Sequence, residues 1–129
     1  MKCPCNPEKL YKDCCKKVHQ DIFNATTARE LMRSRYSAFV LGDIDYLSKS
    51  HHSSTRPSKR DDKETARWTK TVEWVKLDVI NHTAGTVSDS TGTVYFKAFF
   101  IENGSVQIIE ENSRFCKEKD HWVYLDAQG

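Results

Sequence analysis

The chain has 129 residues, 29% charged and 38% apolar, with a formal net charge of +2. That length suits one hydrophobic core plus a small appendage, and the balance is globular rather than disordered. So small a charge argues against nucleic-acid binding by bulk electrostatics. No apolar run approaches the roughly 20 residues of a membrane span, and none follows the first lysine as a secretory signal would, so a soluble cytoplasmic protein without a membrane partner is expected.

Four of the five cysteines fall within the first fifteen residues, as Cys3-Pro-Cys5, eight residues, then Cys14-Cys15. A secreted disulfide framework spreads its cysteines to staple distant loops, whereas crowding them reads as a metal site or a redox centre. Two close thiolate pairs joined by a short loop suit the tetrahedral preference of one zinc ion, and four sulfurs leave no open position, so the site reads as structural. The alternative is a metal-free cysteine cluster in redox exchange. Lys2, Lys9, Lys12, Lys16 and Lys17 stand against Glu8 and Asp13 in the same segment. This basic knob reads as a docking surface for an acidic partner, or as a solvated face that softens the thiolate charge. Tyr11 is expected to pack beside the metal or on the main body, and His19 to be exposed outside the motif. Cys116, far along the chain, is expected to act as a small apolar strand residue.

Residues 28–47 carry Leu31, Met32, Arg35, Tyr36, Phe39 and Val40 at three- and four-residue spacing, which predicts an amphipathic helix. Thr26 or Thr27 can cap its start, Thr27 and Glu30 have capping-box spacing, and Gly42 can end it in the left-handed conformation. Asp43 then opens a shorter turn with Ile44 and Leu47. Residues 48–70 are polar, and the SSTRPSKRDD portion reads as a basic loop, with a helical turn over 65–68 that buries Trp68. His51 and His52 sit at its start, where an imidazole can act as a general base or cap helix-end carbonyls.

From residue 71 the pattern turns to strands: 71–81, 93–101, 105–117 and 121–126, separated by short turns that predict an antiparallel meander. Glu110 and Glu111 are adjacent and point to opposite faces, so one of them faces inward. Arg114 or Arg35 can neutralise it. Trp74, Phe96, Phe100, Phe115, Trp122 and Tyr124 are expected in the core or in a pocket wall.

LMRSRYSAFVLGDIDYL, SHHSSTRP and ENSRFCKEKDHWVYLD resemble the signature of the YchJ-like family. The C-x-C-x8-C-C pattern, with its YK and CC, resembles the SEC-C zinc motif; Asn-Pro-Glu stands here in place of the usual Gly-Ser-Gly. The resemblance implies an SEC-C-type knuckle over residues 1–20 and an NTF2-like α+β domain over 21–129. Its fold would be a curved antiparallel sheet on a long amino-terminal helix, a cystatin-like cone with a pocket. It implies one structural Zn2+ on Cys3, Cys5, Cys14 and Cys15, and favours His52 over its neighbour, followed by Ser54, Thr55 and Arg56. Glu111, Ser113 and Phe115 match the family pattern, whereas Glu110 replaces its histidine.

The favoured function is a non-enzymatic, zinc-stabilised binding or adaptor protein whose lysine-rich knuckle contacts a protein or ribonucleoprotein. The alternative is a pocket enzyme or small-ligand binder, with His52 or Glu111 as base, Tyr36 or Arg35 stabilising an oxyanion, and Arg114 nearby. Direct RNA binding through the two basic stretches is the third reading, and the near-balanced charge weighs against it.

Overall fold

The computed structural model describes residues 1–128. The chain begins with a two-stranded ribbon, β1 (Lys2–Cys3) and β2 (Asn6–Leu10), then a 3-10 turn and α1 (Cys15–Gln20). Asn6 tightens the ribbon where glycine is usual in the SEC-C pattern, its Oδ1 accepting the Glu8 backbone N–H at 3.0 Å. Three helices follow, α2 (Ala28–Leu41), α3 (Ile44–Lys49) and α4 (Lys59–Thr69). The remainder is an antiparallel meander in the order β3 (Glu73–Ala84), β4 (Thr91–Glu102), β5 (Ser105–Glu118), β6 (His121–Ala127).

Helix α2 forms where its signals place it. Thr27 Oγ1 accepts the Glu30 N–H at 3.1 Å, and the Glu30 carboxylate reaches back to the Thr26 N–H at 3.1 Å. Gly42 ends the helix at φ +72°, its N–H meeting the Ala38 and Phe39 carbonyls. Both ends thus satisfy backbone groups that have no helical partner. The four-strand expectation also holds, with β3 displaced toward the carboxy terminus and the others longer by one or two residues at an end. In β4, Gly92, Val94, Phe96, Ala98 and Phe100 alternate inward against half-exposed neighbours. Register shifts in β3 at Trp74/Lys76 and Val79/Asn81 bend the sheet around α2.

The expected loop over SSTRPSKRDD is a correction. From Lys59 onward it is the first turns of α4. Ser58 Oγ accepts the Asp61 N–H at 3.2 Å, and Asp61 and Asp62 occupy the positive end of the helix. Helix α4 lacks an apolar stripe; it is held by Trp68, whose ring lies 5.6 Å from Trp74 and 5.5 Å from Phe100.

One contiguous core joins the amino-terminal segment to the body: Cys3, Cys5, Cys15 and Val18 belong to the same buried cluster as Leu31, Phe115 and Trp122. The first turn of α2 is fastened to the sheet by the Ala28 N–H, which donates to the Gly85 carbonyl at 3.0 Å. There Gly85 and Gly92 meet face to face; a Cβ on Gly92 would lie 2.5 Å from the Gly85 Cα. Gly92→Ala should therefore cost about 1–3 kcal/mol through backbone overpacking. Gly104→Ala, in open space at φ +79°, should cost only about 1 kcal/mol. Urea unfolding midpoints of the two variants test the difference.

Candidate metal centre and aromatic cavity

The sulfur atoms of Cys3, Cys5, Cys14 and Cys15 all lie within 4.8 Å of one another. Cys5 is the hub, at 3.6 Å from Cys3, 3.6 Å from Cys14 and 3.5 Å from Cys15. These separations are too long for disulfides, whose sulfurs bond at about 2.05 Å. They fit a tetrahedron: ligands at about 2.3 Å from a central ion stand about 3.8 Å apart. Without a cation the four cannot all ionise. The Cys5 thiol is pulled down to about 5, chiefly by the Cys15 hydrogen bond, with Cys14, Cys3 and Arg33 adding to it. Cys14 is pushed up to about 12 by burial and by the Cys5 charge. Cys15 is also raised, first by its hydrogen bond to Cys5 and then by burial. A divalent ion among the four is the charge that this donor set lacks.

One side of α2 holds the cluster. Ser37 Oγ donates to Cys15 Sγ at 3.1 Å, and Arg33 Nη1 donates to the Cys5 carbonyl at 3.2 Å. His19, expected to be exposed, is half-buried and joins the segment to the body. Its Nε2 lies 2.8 Å from the Ser34 carbonyl, which can only accept, so Nε2 carries the proton and Nδ1 accepts from the Tyr11 hydroxyl at 2.7 Å. Both imidazole nitrogens are thereby committed, and His19 is no ligand.

The other side of α2 faces a cavity of about 300 Å³ enclosed by the helices and the sheet. Arg35, Tyr36 and Glu111 from the expected set line it, among the rings of Phe39, Trp68, Trp74, Phe96, Phe115 and Tyr124. Arg35 is only 8% exposed. Its Nη1 donates to the Leu47 carbonyl at 2.8 Å and to Ser50 Oγ at 2.7 Å, and the guanidinium lies 4.9 Å from the centre of the Tyr124 ring. Burial lowers it to about 10, so it remains cationic at neutral pH. Glu111 Oε2 accepts from the Ser113 hydroxyl and from the Tyr124 hydroxyl, the latter at 3.2 Å. Tyr36 packs edge-on against Trp74 at 5.8 Å, and burial pushes its phenol up to about 12. Trp74 Nε1 is buried without an acceptor.

Two of the expected residues lie elsewhere. Arg114 forms a paired contact with Asp126 on the exposed face, Nε to Oδ1 at 2.6 Å, and does not neutralise Glu111. His52 is not in the cavity wall; its Nδ1 accepts the Ser54 N–H at 3.0 Å and its Nε2 faces Glu118 at 3.5 Å. His52 therefore does not share a cavity with Glu111 and Tyr36, the other residues of the pocket reading. His51 lines the cavity instead, because a β-bridge to Tyr124 holds residue 51 extended and turns successive side chains to opposite sides. Tyr124 was legible as an aromatic of the wall, but its hydrogen bond to Glu111 depends on β5–β6 register, which residue type alone does not reveal. Glu110, as the alternation predicts, points the other way, near Lys97 and the Tyr95 hydroxyl.

Burial holds the His51 imidazole down to about 4, with Arg35 and Arg56 adding to the effect. The folded state thus excludes a proton that the unfolded chain binds below about pH 6.5, so this group weakens the fold as pH falls from about 6.5 toward 4. His51→Gln should show a shallower fall in unfolding midpoint than the parent over that interval; thermal melts between pH 7 and 4.5 measure it.

Residues 27–127 match the family described as YchJ, middle NTF2-like domain. The chain is 38% identical over 125 residues to a UPF0225 protein of Vibrio parahaemolyticus, covering 97% of this chain and 73% of that one. A UPF0225 protein of Streptomyces coelicolor is 39% identical over 126 residues, covering 98% and 94%. Among solved structures, an SEC-C motif containing protein from Rhodopseudomonas palustris superposes with a TM-score of 0.83 at 29% identity, covering 100% of this chain and 98% of that one. A second, from Psychrobacter arcticus, gives 0.81 at 34% identity, covering 98% and 81%. With the four-cysteine cluster seated against an α+β body of this shape, the chain belongs to the YchJ-like, UPF0225 family of SEC-C motif proteins with an NTF2-like domain.

Proposed function

We propose that Cys3, Cys5, Cys14 and Cys15 hold one structural Zn2+, and that the chain is a non-enzymatic cytoplasmic binding protein whose zinc-held segment contacts an acidic protein or ribonucleoprotein partner. The observation that carries this reading is the grouping of four sulfurs within 4.8 Å. Four soft ligands in a closed shell suit zinc and leave no position for substrate water. Three of the four cysteines are buried, which favours a role in holding the fold. A reducing compartment keeps them as thiolates. No helix among the described residues is long and apolar enough to cross a membrane.

The partner surface is supported by the lysines. All five of the segment are exposed, and Leu10 and Phe23 beside them are 45% and 57% exposed. A basic rim around a few apolar side chains is the composition of a docking face for an acidic partner. The base role offered to His52 loses support because His52 lies outside the cavity wall, whereas Glu111, Tyr36 and Arg35 share it.

Elemental analysis of the untagged protein, purified reduced and without chelator, should give one zinc per chain and one reactive thiol, from Cys116. Iron in place of zinc, or four reactive thiols without metal, would sink the metal reading. Cys15→Ser should remove the zinc and lower the unfolding midpoint by about 10 °C or more, since loss of a structural metal is among the few changes that cost above about 4 kcal/mol. For the partner, charge reversal at Lys9, Lys12 and Lys16 should retain zinc and strip the acidic proteins that the parent protein captures. An unchanged set of captured partners would refute the docking role.

A further inference from the structure

The buried guanidinium of Arg35 has no carboxylate within ion-pair distance, although Glu111 and Asp62 act on it from across the same cavity. Buried charges are ordinarily paired, because an isolated one loses hydration that nothing returns. Among the described residues the ion pairs join His52 to Glu118, Lys76 to Asp78, Lys97 to Glu110 and Arg114 to Asp126. None involves Arg35, although it is 8% exposed. Both of its hydrogen bonds run through Nη1, to the Leu47 carbonyl and Ser50 Oγ. The adjacent Nε–H and Nη2–H donors form the edge of the guanidinium that matches a carboxylate bidentately. That group stands in the wall of a cavity of about 300 Å³, at the small end of ligand-binding cavities, which run to roughly 300–1,000 Å³.

We propose that this cavity binds a small aromatic monocarboxylate, its carboxylate seated on Nε and Nη2 of Arg35 and its ring against Trp68 and Trp74. The unpaired edge of Arg35 can seat one negative charge, and the carboxylates of the wall repel a second. Glu111 and Asp62 line the same cavity and Arg35 is its single cationic side chain, with His51 held neutral at pH 7. A phosphate dianion would therefore meet two carboxylates with one counter-charge. The rest of the wall is apolar and largely aromatic, which accommodates a flat hydrocarbon body. Arg35 also keeps its place without ligand, because Nη1 is anchored and the Tyr124 ring lies against its face at 4.9 Å. This site lies across α2 from the cysteines and stands independently of the metal and partner readings.

The test is an NMR titration of the full, zinc-loaded chain, following the indole N–H signals of Trp68 and Trp74. Phenylacetate is the probe, with phenylacetamide and phenyl phosphate as isosteres that lack the single negative charge. Saturable shifts are expected with phenylacetate, and binding at least about tenfold weaker with phenylacetamide, as loss of a hydrogen-bonded charge implies. Arg35→Met should abolish that preference. Should this variant fail to fold, Glu111→Gln serves without touching the guanidinium: removing a neighbouring negative charge should tighten phenylacetate severalfold and leave phenylacetamide unchanged. Equal affinity for acid and amide, tighter binding of phenyl phosphate, or no saturable shift with phenylacetate would each overturn the proposal.

Discussion

Everything in this fold depends on α2 being buried on two sides at once. A helix that merely covers a sheet hides one stripe and exposes the rest. Here Ala28, Leu31, Met32, Ser34, Arg35, Tyr36, Ser37 and Ala38 are all buried, because the sheet closes on one side and the cysteine segment on the other. The polar members are satisfied in place: Ser34 between the Leu31 carbonyl and the Tyr46 hydroxyl, Ser37 on Cys15, Arg35 on Leu47 and Ser50. In such surroundings an unpaired polar atom costs roughly 1–3 kcal/mol, so these partners specify how the helix is turned about its axis. One helical rotation then fixes both sites, with residues 33, 34 and 37 toward the cysteines and 32, 35, 36 and 39 toward the cavity.

The two sites have opposite electrostatic needs. Around the cysteines, proximity of four acidic thiols creates a surplus of potential negative charge, visible in the opposed displacements of Cys5 and Cys14. The arrangement asks for a cation. Across the helix, burial sets one guanidinium beside a neutral imidazole among aromatic rings, with the Glu111 and Asp62 carboxylates in the same wall but none within ion-pair distance. Fourteen residues of helix carry both because side chains at successive positions diverge by about 100° around the axis.

The amino-terminal segment shows how little backbone regularity is needed to bring four cysteines together. Its ribbon has two pairing positions and its helix six residues, too few for independent stability. What holds them is the shared core and the chain of contacts from Tyr11 through His19 to Ser34. The segment is covalently an extension of the NTF2-like body and physically a wall of it.

Much of this was legible beforehand, for reasons that are local. Cysteine spacing, the Thr27 and Gly42 caps, the alternation of β4 and the opposite facing of Glu110 and Glu111 arise from bonded geometry and period, which a sequence displays directly. Of helix α4 only the turn over 65–68 was expected, because the residues from Lys59 onward offer no apolar face and only Trp68 meeting Trp74 and Phe100 makes the longer helix worthwhile. The exchange of His52 for His51 and the departure of Arg114 to Asp126 have the same origin. Which of two neighbouring side chains enters a cavity depends on the pairing of residues 51 and 124, more than seventy positions apart. The sequence by itself determined which four sulfurs cluster, the helix that everything packs on and the meander that follows. Only the tertiary structure decided which side chains share a cavity, because that is a matter of long-range register and burial rather than of residue type.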